Sequence, residues 1–567
     1  MKKTSIGLLT LMCLLIIGCR ENSEPFQIKL NSGQYKYGVV ASAHSLANTV
    51  GINVLKSGGN AFDAAVAVNM ALAVTYPRAG NIGGGGFMVY RTANGESGSL
   101  DFREKAPENA HHDMFLNNEG KVIENLSRQG ALSIGVPGAV AGMVALHEKF
   151  GNLEWSGLLN PSIDLAKNGF LVSELQAKTF NRFQDTFIQV NDGDIHLSKT
   201  GGWKKGDTLK STALGKTLEL IAREKLRGFY EGAVAEDIVN TIKANGGIIS
   251  LNDLANYQVV WRKPVSGKFN GYEVISMPPP SSGGIALIQL LKGFEMLQGD
   301  TLPHNSALYI HLLTELERRV YADRAEYLGD PDFYPVPEEK LINTEYLQNR
   351  FSDINMQKAT PSSEIKEGKV EVIESFETTH FEIVDRWGNA VSITTTLNGY
   401  FGSKLITKKS GIMLNNEMDD FSIKPGVPNQ FGLVGSEANK IEPNKRMLSS
   451  MTPTIILKND SLVLLTGTPG GPTIITTVFQ TLLNSLVYQM DVQTAVNTTK
   501  EHAQWLPDKI YFETDKMPQS RQDSLTNMGH NLFATPRLGK MKLILIDEVI
   551  MYGAGDTLRG DPPALGF

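Results

Sequence analysis

The sequence predicts a layered α/β or α+β protein, and three observations point there. Segments of strand and helix character alternate densely along the first part of the chain. Beyond Phe376 the chain turns strand-rich and stays so to its end, with one clear helix from Thr473 to about Tyr488. Its 567 residues, 41% hydrophobic and 20% charged, have an ordinary globular balance and allow a large core.

The first residues read as a sorting signal. Lys2 and Lys3 precede an apolar run, Ile6 to Ile17, that is too short to span a bilayer comfortably. The run ends Leu15-Ile16-Ile17-Gly18-Cys19, which resembles the lipobox of bacterial lipoproteins, so residues 1–18 are expected to be removed and Cys19 to carry acyl chains. Several chains on one residue exceed the single chain that gives only marginal binding, so the expected anchor is stable. Cys13 and Cys19 are the only cysteines, and the first leaves with the signal. The mature body therefore has no disulfide and no thiol chemistry. Residues 19–36 are read as the lipidated cysteine and a polar tether.

Tyr37 to Ala41 follows as a strand, and Ser45 to Lys56 as a helix closed by Gly58-Gly59. Ala61 to Val74 has the small, apolar spacing of a second, well-buried helix. From Ala106 to Gly271 the pattern is mostly helical, broken at Pro137, Gly138 and Pro161. A helix over Ala307 to Tyr327 carries Glu and Arg at positions that can pair. The polar stretch Asn355 to Gly368 is the best candidate for a flexible segment. The net charge of -6 and pI near 6.0, with no basic stripe, argue against a nucleic-acid partner.

The chemistry concentrates after that polar stretch. Phe376 to Asp385 and Ala390 to Asn398 alternate with period two about a Gly388-Asn389 turn, the pattern of a β-hairpin. With Trp387 at its centre, Thr378 and Thr396 face each other, each nine positions away. Opposed side chains lie about 4.5–5.5 Å apart at Cβ, so one hydroxyl can steer the other. A bulge at Gly388 would instead put them on opposite faces. Such a hairpin alone indicates only structure, since threonine is a good strand former.

Downstream, Gly411 to Ser422 is a strand running into amides and carboxylates, which by default form turns. Ser449 and Ser450 place two hydroxyls before a strand, and Leu462 to Gly471 is a strand ending in glycines ahead of the helix near Thr473. Backbone N–H groups bared by glycine at a helix start suit an oxyanion, although a tight turn has the same signature. Gly83 to Gly86 lacks a following Gly-Lys-Ser/Thr, which indicates close backbone packing rather than a nucleotide loop. His111 and His112 are adjacent rather than four apart, and no metal or cofactor is expected. His380 shares the face of Thr378 and is read as support rather than as a base.

With Gly58-Gly59-Asn60-Ala61-Phe62-Asp63-Ala64-Ala65, Asn81 to Phe87, Asp101-Phe102-Arg103-Glu104-Lys105-Ala106-Pro107 and Pro279-Pro280-Ser281-Ser282-Gly283-Gly284, these segments resemble the γ-glutamyltranspeptidase family of N-terminal-nucleophile hydrolases over nearly the whole mature chain. The resemblance implies a four-layer αββα sandwich. It also implies one precursor cut between Glu377 and Thr378 into interlocked subunits, 37–377 and 378–567. Thr378 matches the nucleophile, whose new α-amine would serve as base, and Thr396 the threonine that orients it. Gly470 and Gly471 match the oxyanion donors, Arg103, Ser449 and Ser450 the carboxylate binders, and Asn398, Glu417 and Asp420 the ammonium binders. Pro425 to Gly435 matches an active-site lid, with Phe431 where lidded members often carry tyrosine.

The implied donors are glutathione and other γ-glutamyl compounds, the acceptors water, amino acids and peptides, and the location the periplasm or cell envelope. Two rivals remain: a same-fold acylase of glutaryl amides and a non-catalytic peptide-binding lipoprotein. The chain departs from the family pattern at Lys500 to Ala503 and at Gly555, positions that touch none of these residues.

Overall fold

The computed structural model describes residues 33–365, 378–424 and 426–567, so the signal, Cys19, the start of the tether, Glu377 and Pro425 lie outside the described residues. Two seven-stranded sheets stand face to face. The first runs, in spatial order, Leu565–Gly566, Gly38–Ala41, Thr379–Asp385, Ala390–Thr396, Gly85–Arg91, Ser97–Asp101 and Val260–Arg262. Its centre is the expected hairpin, and every residue of both hairpin strands is buried. The second sheet runs Gly33–Tyr35, Ile550–Gly555, Lys542–Asp547, Ser461–Gly467, Thr454–Lys458, Tyr272–Ser276 and Val265–Phe269.

Side-chain parity assigns the faces. Phe381, Ile383, Val391 and Ile393 share a core with the helices Ser45–Lys56 and Ala61–Thr75, whereas Phe87, Val89, Val384 and Ala390 belong to the core between the sheets. The even-numbered side chains of the strand Thr379–Asp385 therefore point at the second sheet. Helices Gly283–Met296, Ala307–Tyr327 and Thr473–Leu486 cover the far side of that sheet and complete the four αββα layers. Helix Ala61–Thr75 is buried on every side, as its continuous apolar sequence requires. Its start is fixed by a capping box in which Asn60 Oδ1 accepts from the Asp63 N–H and Asp63 returns the bond to the Asn60 N–H.

Four expectations are corrected. Pro161 lies inside helix Trp155–Asn168 and does not end it. The buried neighbours Leu158, Leu159 and Ile163 outweigh the one helical hydrogen bond that proline forgoes. Residues 106–130 form turns rather than helix, and the C-terminal part holds two further helices, Val492–Asn497 and Gln519–Asn527. The described part of the supposedly flexible stretch, 355–365, is anchored at Ala359, Ser362 and Ile365, which are buried, although many of its other side chains are exposed. Glu315 accepts the Thr360 N–H at 2.9 Å, and Asp508 accepts the Ser362 N–H at 3.0 Å. Trp505 Nε1 donates to the Ser362 and Ile365 carbonyls at 3.1 and 3.0 Å.

Trp505→Phe keeps an aromatic ring but removes that donor and some buried volume, so the loss of hydrogen bonds sets a lower bound on its cost. At about 0.5–1.5 kcal/mol per bond the substitution is expected to cost at least roughly 1–2 kcal/mol and to expose residues 355–365 to proteases. Chemical denaturation and limited proteolysis check this, and an unaltered cutting rate would refute the clamp.

Candidate active site

The hairpin turn is held by one carboxylate. Asp385 Oδ1 accepts the Trp387 and Asn389 N–H groups at 2.9 and 3.0 Å, while Oδ2 accepts the Ala61 N–H at 2.9 Å and ties the turn to the buried helix. Gly388 has φ +90°, a conformation open to glycine at no steric cost. The ladder pairs Thr379 with Thr395 and His380 with Thr394 without a bulge. One step further sets Thr378 opposite Thr396. Thr378 is only 4% exposed and lines a pocket that Thr396 and Asn398 also line. Thr396 Oγ1 accepts the Asn398 N–H at 2.7 Å, so its own proton is available to a neighbour. Asn398 sits at φ +71° and donates through Nδ2 to the Asn416 carbonyl at 3.0 Å. The glycines Gly83 to Gly86 let this end of the hairpin close: a Cβ on Gly84 would stand 2.1 Å from the Thr396 carbonyl, and one on Gly86 2.4 Å from that of Thr394.

Charge enters from the loop after Ser97–Asp101. Asp101 Oδ1 accepts the Arg103 N–H at 3.0 Å, and Tyr257 donates to the Arg103 carbonyl at 2.8 Å. The buried guanidinium meets Glu417 at 2.9 Å, Asp420 at 2.6 Å and Glu104 at 3.5 Å. Burial would lower its pKa, but these carboxylates raise it, so it stays cationic. Burial, opposed by Arg103, raises the carboxyl pKa of Glu417 well above normal and that of Glu104 to about 7. Asp420 is raised by the same burial against the same cation. The expected carboxylate binder and ammonium binders thus form a single buried cluster.

The glycine turn is fixed from both ends. Gly470 and Gly471 have φ +145° and +53°, the Gly470 carbonyl accepts from Thr473 Oγ1 at 2.8 Å, and Tyr321 OH donates to the Pro472 carbonyl. Gly471 lines the pocket beside Thr378, with Gly470 one residue behind it. The Phe431 ring covers Gly471 so closely that a Cβ there would lie 2.9 Å from it. The segment around Phe431, the expected lid, is tied to the charge cluster through Asn429 Nδ2, which donates to Asp420 at 3.1 Å, and to the body through Gln504 Nε2, which donates to the Phe431 carbonyl at 3.1 Å.

Ser449 and Ser450 complete the pocket, held by the Pro279–Gly284 segment: the Ser449 N–H donates to the Pro280 carbonyl at 2.9 Å and the Ser282 N–H to that of Ser449 at 2.8 Å. His380 is buried between Thr394 Oγ1 and Glu382 Oε1 at 2.9 and 3.0 Å, and burial, then Lys542, pushes its pKa well below normal. Both ring nitrogens are thereby engaged away from Thr378. Sequence reasoning missed two charged groups, Glu104 and Arg324. Arg324 lies on the stripe Ile310, Leu313, Glu317, Val320 and Arg324 of helix Ala307–Tyr327, and charged residues spaced among buried apolar ones were the available signal.

A threonine at the head of a central strand, inside two stacked antiparallel sheets between helical layers, defines an N-terminal-nucleophile hydrolase. The fold is shared with the crystal structure of cephalosporin acylase from Bacillus halodurans, at TM-score 0.83 and 24% identity over 96% of this chain and 98% of that one. Helicobacter pylori γ-glutamyltranspeptidase aligns at TM-score 0.57 and 47% identity over 60% of this chain and 98% of its own. The glutathione hydrolase proenzyme of Escherichia coli K12 is 44% identical over 94% of this chain and 92% of its own, and that of Bacillus subtilis 168 is 38% identical over 92% and 90%. The family model Gamma-glutamyltranspeptidase matches residues 47–565. The chain belongs to the γ-glutamyltranspeptidase family, and it is an enzyme of that class.

The raised Glu104 pKa has a definite sign in stability. Below the ordinary value of 4.5 the group is protonated whether folded or not; between 4.5 and about 7 the unfolded chain sheds a proton that the folded chain keeps, and stability falls. Glu104→Gln is therefore expected to lose less stability than the parent between pH 5 and pH 8. Thermal midpoints at the two pH values measure it, and parallel profiles would show that Glu104 does not titrate in this window.

Proposed function

We propose that the chain is an exported, self-cleaving γ-glutamyltransferase and glutathione hydrolase that uses Thr378 as its nucleophile. The observation that carries this reading is the convergence on Thr378 of matched opposite charges. A γ-glutamyl head group is a zwitterion, and the pocket offers Arg103 with Ser449 and Ser450 to its carboxylate, and Glu417 and Asp420 with Asn398 to its ammonium. A planar guanidinium suits a carboxylate through paired hydrogen bonds. Because Arg103 already lies against Glu417 and Asp420, the zwitterion extends an existing alternation of charge. A glutaryl donor has no ammonium and would leave both acids unused, which favours the γ-glutamyl reading over the acylase one.

In maturation, the Thr378 hydroxyl attacks the Glu377 carbonyl, the peptide C–N bond gives way to an ester, and water hydrolyses that ester to leave a free α-amine on Thr378. An α-amine has a pKa of about 7.7–8.0, so near neutral pH a useful fraction can take the proton of the same residue's hydroxyl. In turnover that hydroxyl attacks the donor's γ-carbonyl, and the Gly470 and Gly471 N–H groups hold the oxyanion. The amine proton passes to the leaving nitrogen. Water, an amino acid or a peptide then takes the glutamyl group from the ester. Phe431 acts as the lid over Gly471 and cannot make the hydroxyl bond a tyrosine would, so the lid relies on Asn429 and Gln504. Among the described residues no helix is long and apolar enough to cross a membrane, and the proposed attachment runs through acylated Cys19.

Thr378→Ala is expected to remain a single uncut chain without turnover, because both steps need the hydroxyl. A denaturing gel and a γ-glutamyl anilide assay test this, and two bands from the variant would overturn the assignment. Cys19→Ser should abolish fatty-acid labelling and recovery with membranes. Undiminished partition into detergent would refute the anchor.

A further inference from the structure

Helix Ala307–Tyr327 carries three buried arginines with different partners. Arg318 and Arg319 pair with Glu315, but Arg324, only 5% exposed, forms no ion pair among the described residues. It lines the same pocket as Thr378. Burial pulls its pKa down to about 10, which leaves it charged at neutral pH. A buried cation without a counter-charge is costly unless something compensates it. Asp420 acts on it through space without a direct ion pair, and its bonds go to hydroxyls: Nε donates to Ser282 Oγ at 3.0 Å and Nη2 to Ser450 Oγ at 3.3 Å.

Those bonds dictate where the hydroxyl protons go. Ser282 Oγ, having accepted from Arg324, donates to the Ser449 carbonyl at 2.7 Å. Ser449 Oγ accepts the Met451 N–H at 3.1 Å. Ser450 Oγ accepts from Arg324, so its proton, like that of Ser449, is left for an acceptor in the pocket both serines line. Charge points the same way. Arg103 faces Glu417, Asp420 and Glu104, so on its own it is a poor attraction for an incoming carboxylate.

We propose that Arg324 is a positioning and specificity residue for the α-carboxylate of the donor: it turns the Ser450 hydroxyl into a donor and supplies the second positive charge that this carboxylate meets. The inference rests on reading Ser449 and Ser450 as carboxylate partners. It makes the preference for donors bearing an α-carboxylate a property of Arg324 and Arg103 together. A donor with the ammonium but no α-carboxylate gains nothing from Arg324.

The test compares an L-γ-glutamyl anilide with the 4-aminobutyryl anilide, which lacks only the α-carboxylate, on full-length protein that has cut itself. Arg324→Gln is expected to raise KM for the glutamyl donor about tenfold, the factor that ~1.4 kcal/mol represents, with kcat changed far less. Its kcat/KM for the aminobutyryl donor should match that of the parent. Arg324→Lys, which keeps the charge, should recover part of the loss, and Ser282→Ala, which removes one anchor of Arg324, should reproduce part of it. These two variants decide the matter if Arg324→Gln does not mature. In a Ser450→Ala background Arg324→Gln should cost clearly less than alone. Equal losses for both anilides, or an unchanged KM, would overturn the proposal. If Ser450→Ala itself leaves KM for the glutamyl donor unchanged, the carboxylate-site reading fails instead.

Discussion

The register of the central hairpin is the constraint on which the site depends. Strand side chains alternate, so pairing Thr379 with Thr395 decides that Thr378 and Thr396 point between the sheets and that Phe381, Ile383, Val391 and Ile393 meet the helices. A slip of one residue would bury the polar row on the helical side and the apolar row against the other sheet, and both cores would fail together. Asp385 guards against this by fixing the turn to the start of helix Ala61–Thr75, whose capping box fixes that start in turn. The placement of Thr378, the proposed nucleophile, is therefore over-determined by packing outside the pocket.

The charges show a second economy. Burying Arg103 among three carboxylates sets opposite charges together out of water, and burial, opposed by Arg103, raises the pKa of all three acids. Arg324 bonds directly to serine hydroxyls, with Asp420 acting on it only through space. The two cations thus differ in what they leave available: Arg103 is shared with acids suited to an ammonium, while Arg324 passes its influence through a hydroxyl to a carboxylate. A site for a zwitterion needs both kinds.

Much of this was legible in the sequence, for physical reasons that differ by element. Helices Ser45–Lys56 and Ala307–Tyr327 were read to the residue because caps and periodicity agree there. The hairpin was legible because period-two alternation flanks an unambiguous turn. The pocket residues came from resemblance, since nothing in the spacing of Arg103, Glu417 and Ser449 says that they meet. Composition misled at 355–365, where the polar side chains are largely solvated but the backbone of Thr360 and Ser362 is bonded to Glu315, Asp508 and Trp505. Pro161 misled because local propensity yields to the burial of Leu158 and Ile163. Arg324 escaped because its helix was read for pairs along its own surface, and its partners are hydroxyls from distant segments.

Sheet order also bears on what a cut before Thr378 would do. The strand Thr379–Asp385 is bonded on one side to Gly38–Ala41, and Ala390–Thr396 on the other to Gly85–Arg91, so this hairpin of the smaller piece lies between strands of the larger, while Leu565–Gly566 pairs with Gly38–Ala41 from the outer edge. In the second sheet Gly33–Tyr35 lies at one edge and Tyr272–Ser276 with Val265–Phe269 at the other, again around strands from beyond Thr378. Separating the pieces would break ladders on both flanks of both sheets and expose the cores between and outside them. The residues before the cut are gripped from the far side by Trp505 and Asp508 as well. Cleavage can thus change one covalent bond and create an amine at Thr378 while the packing that aims it stays as it was. On the proposed reading Thr378 is placed first as an internal residue beside a finished sheet and becomes a terminus afterwards, so the ladders already formed by Thr379–Asp385 set where the new chain end stands.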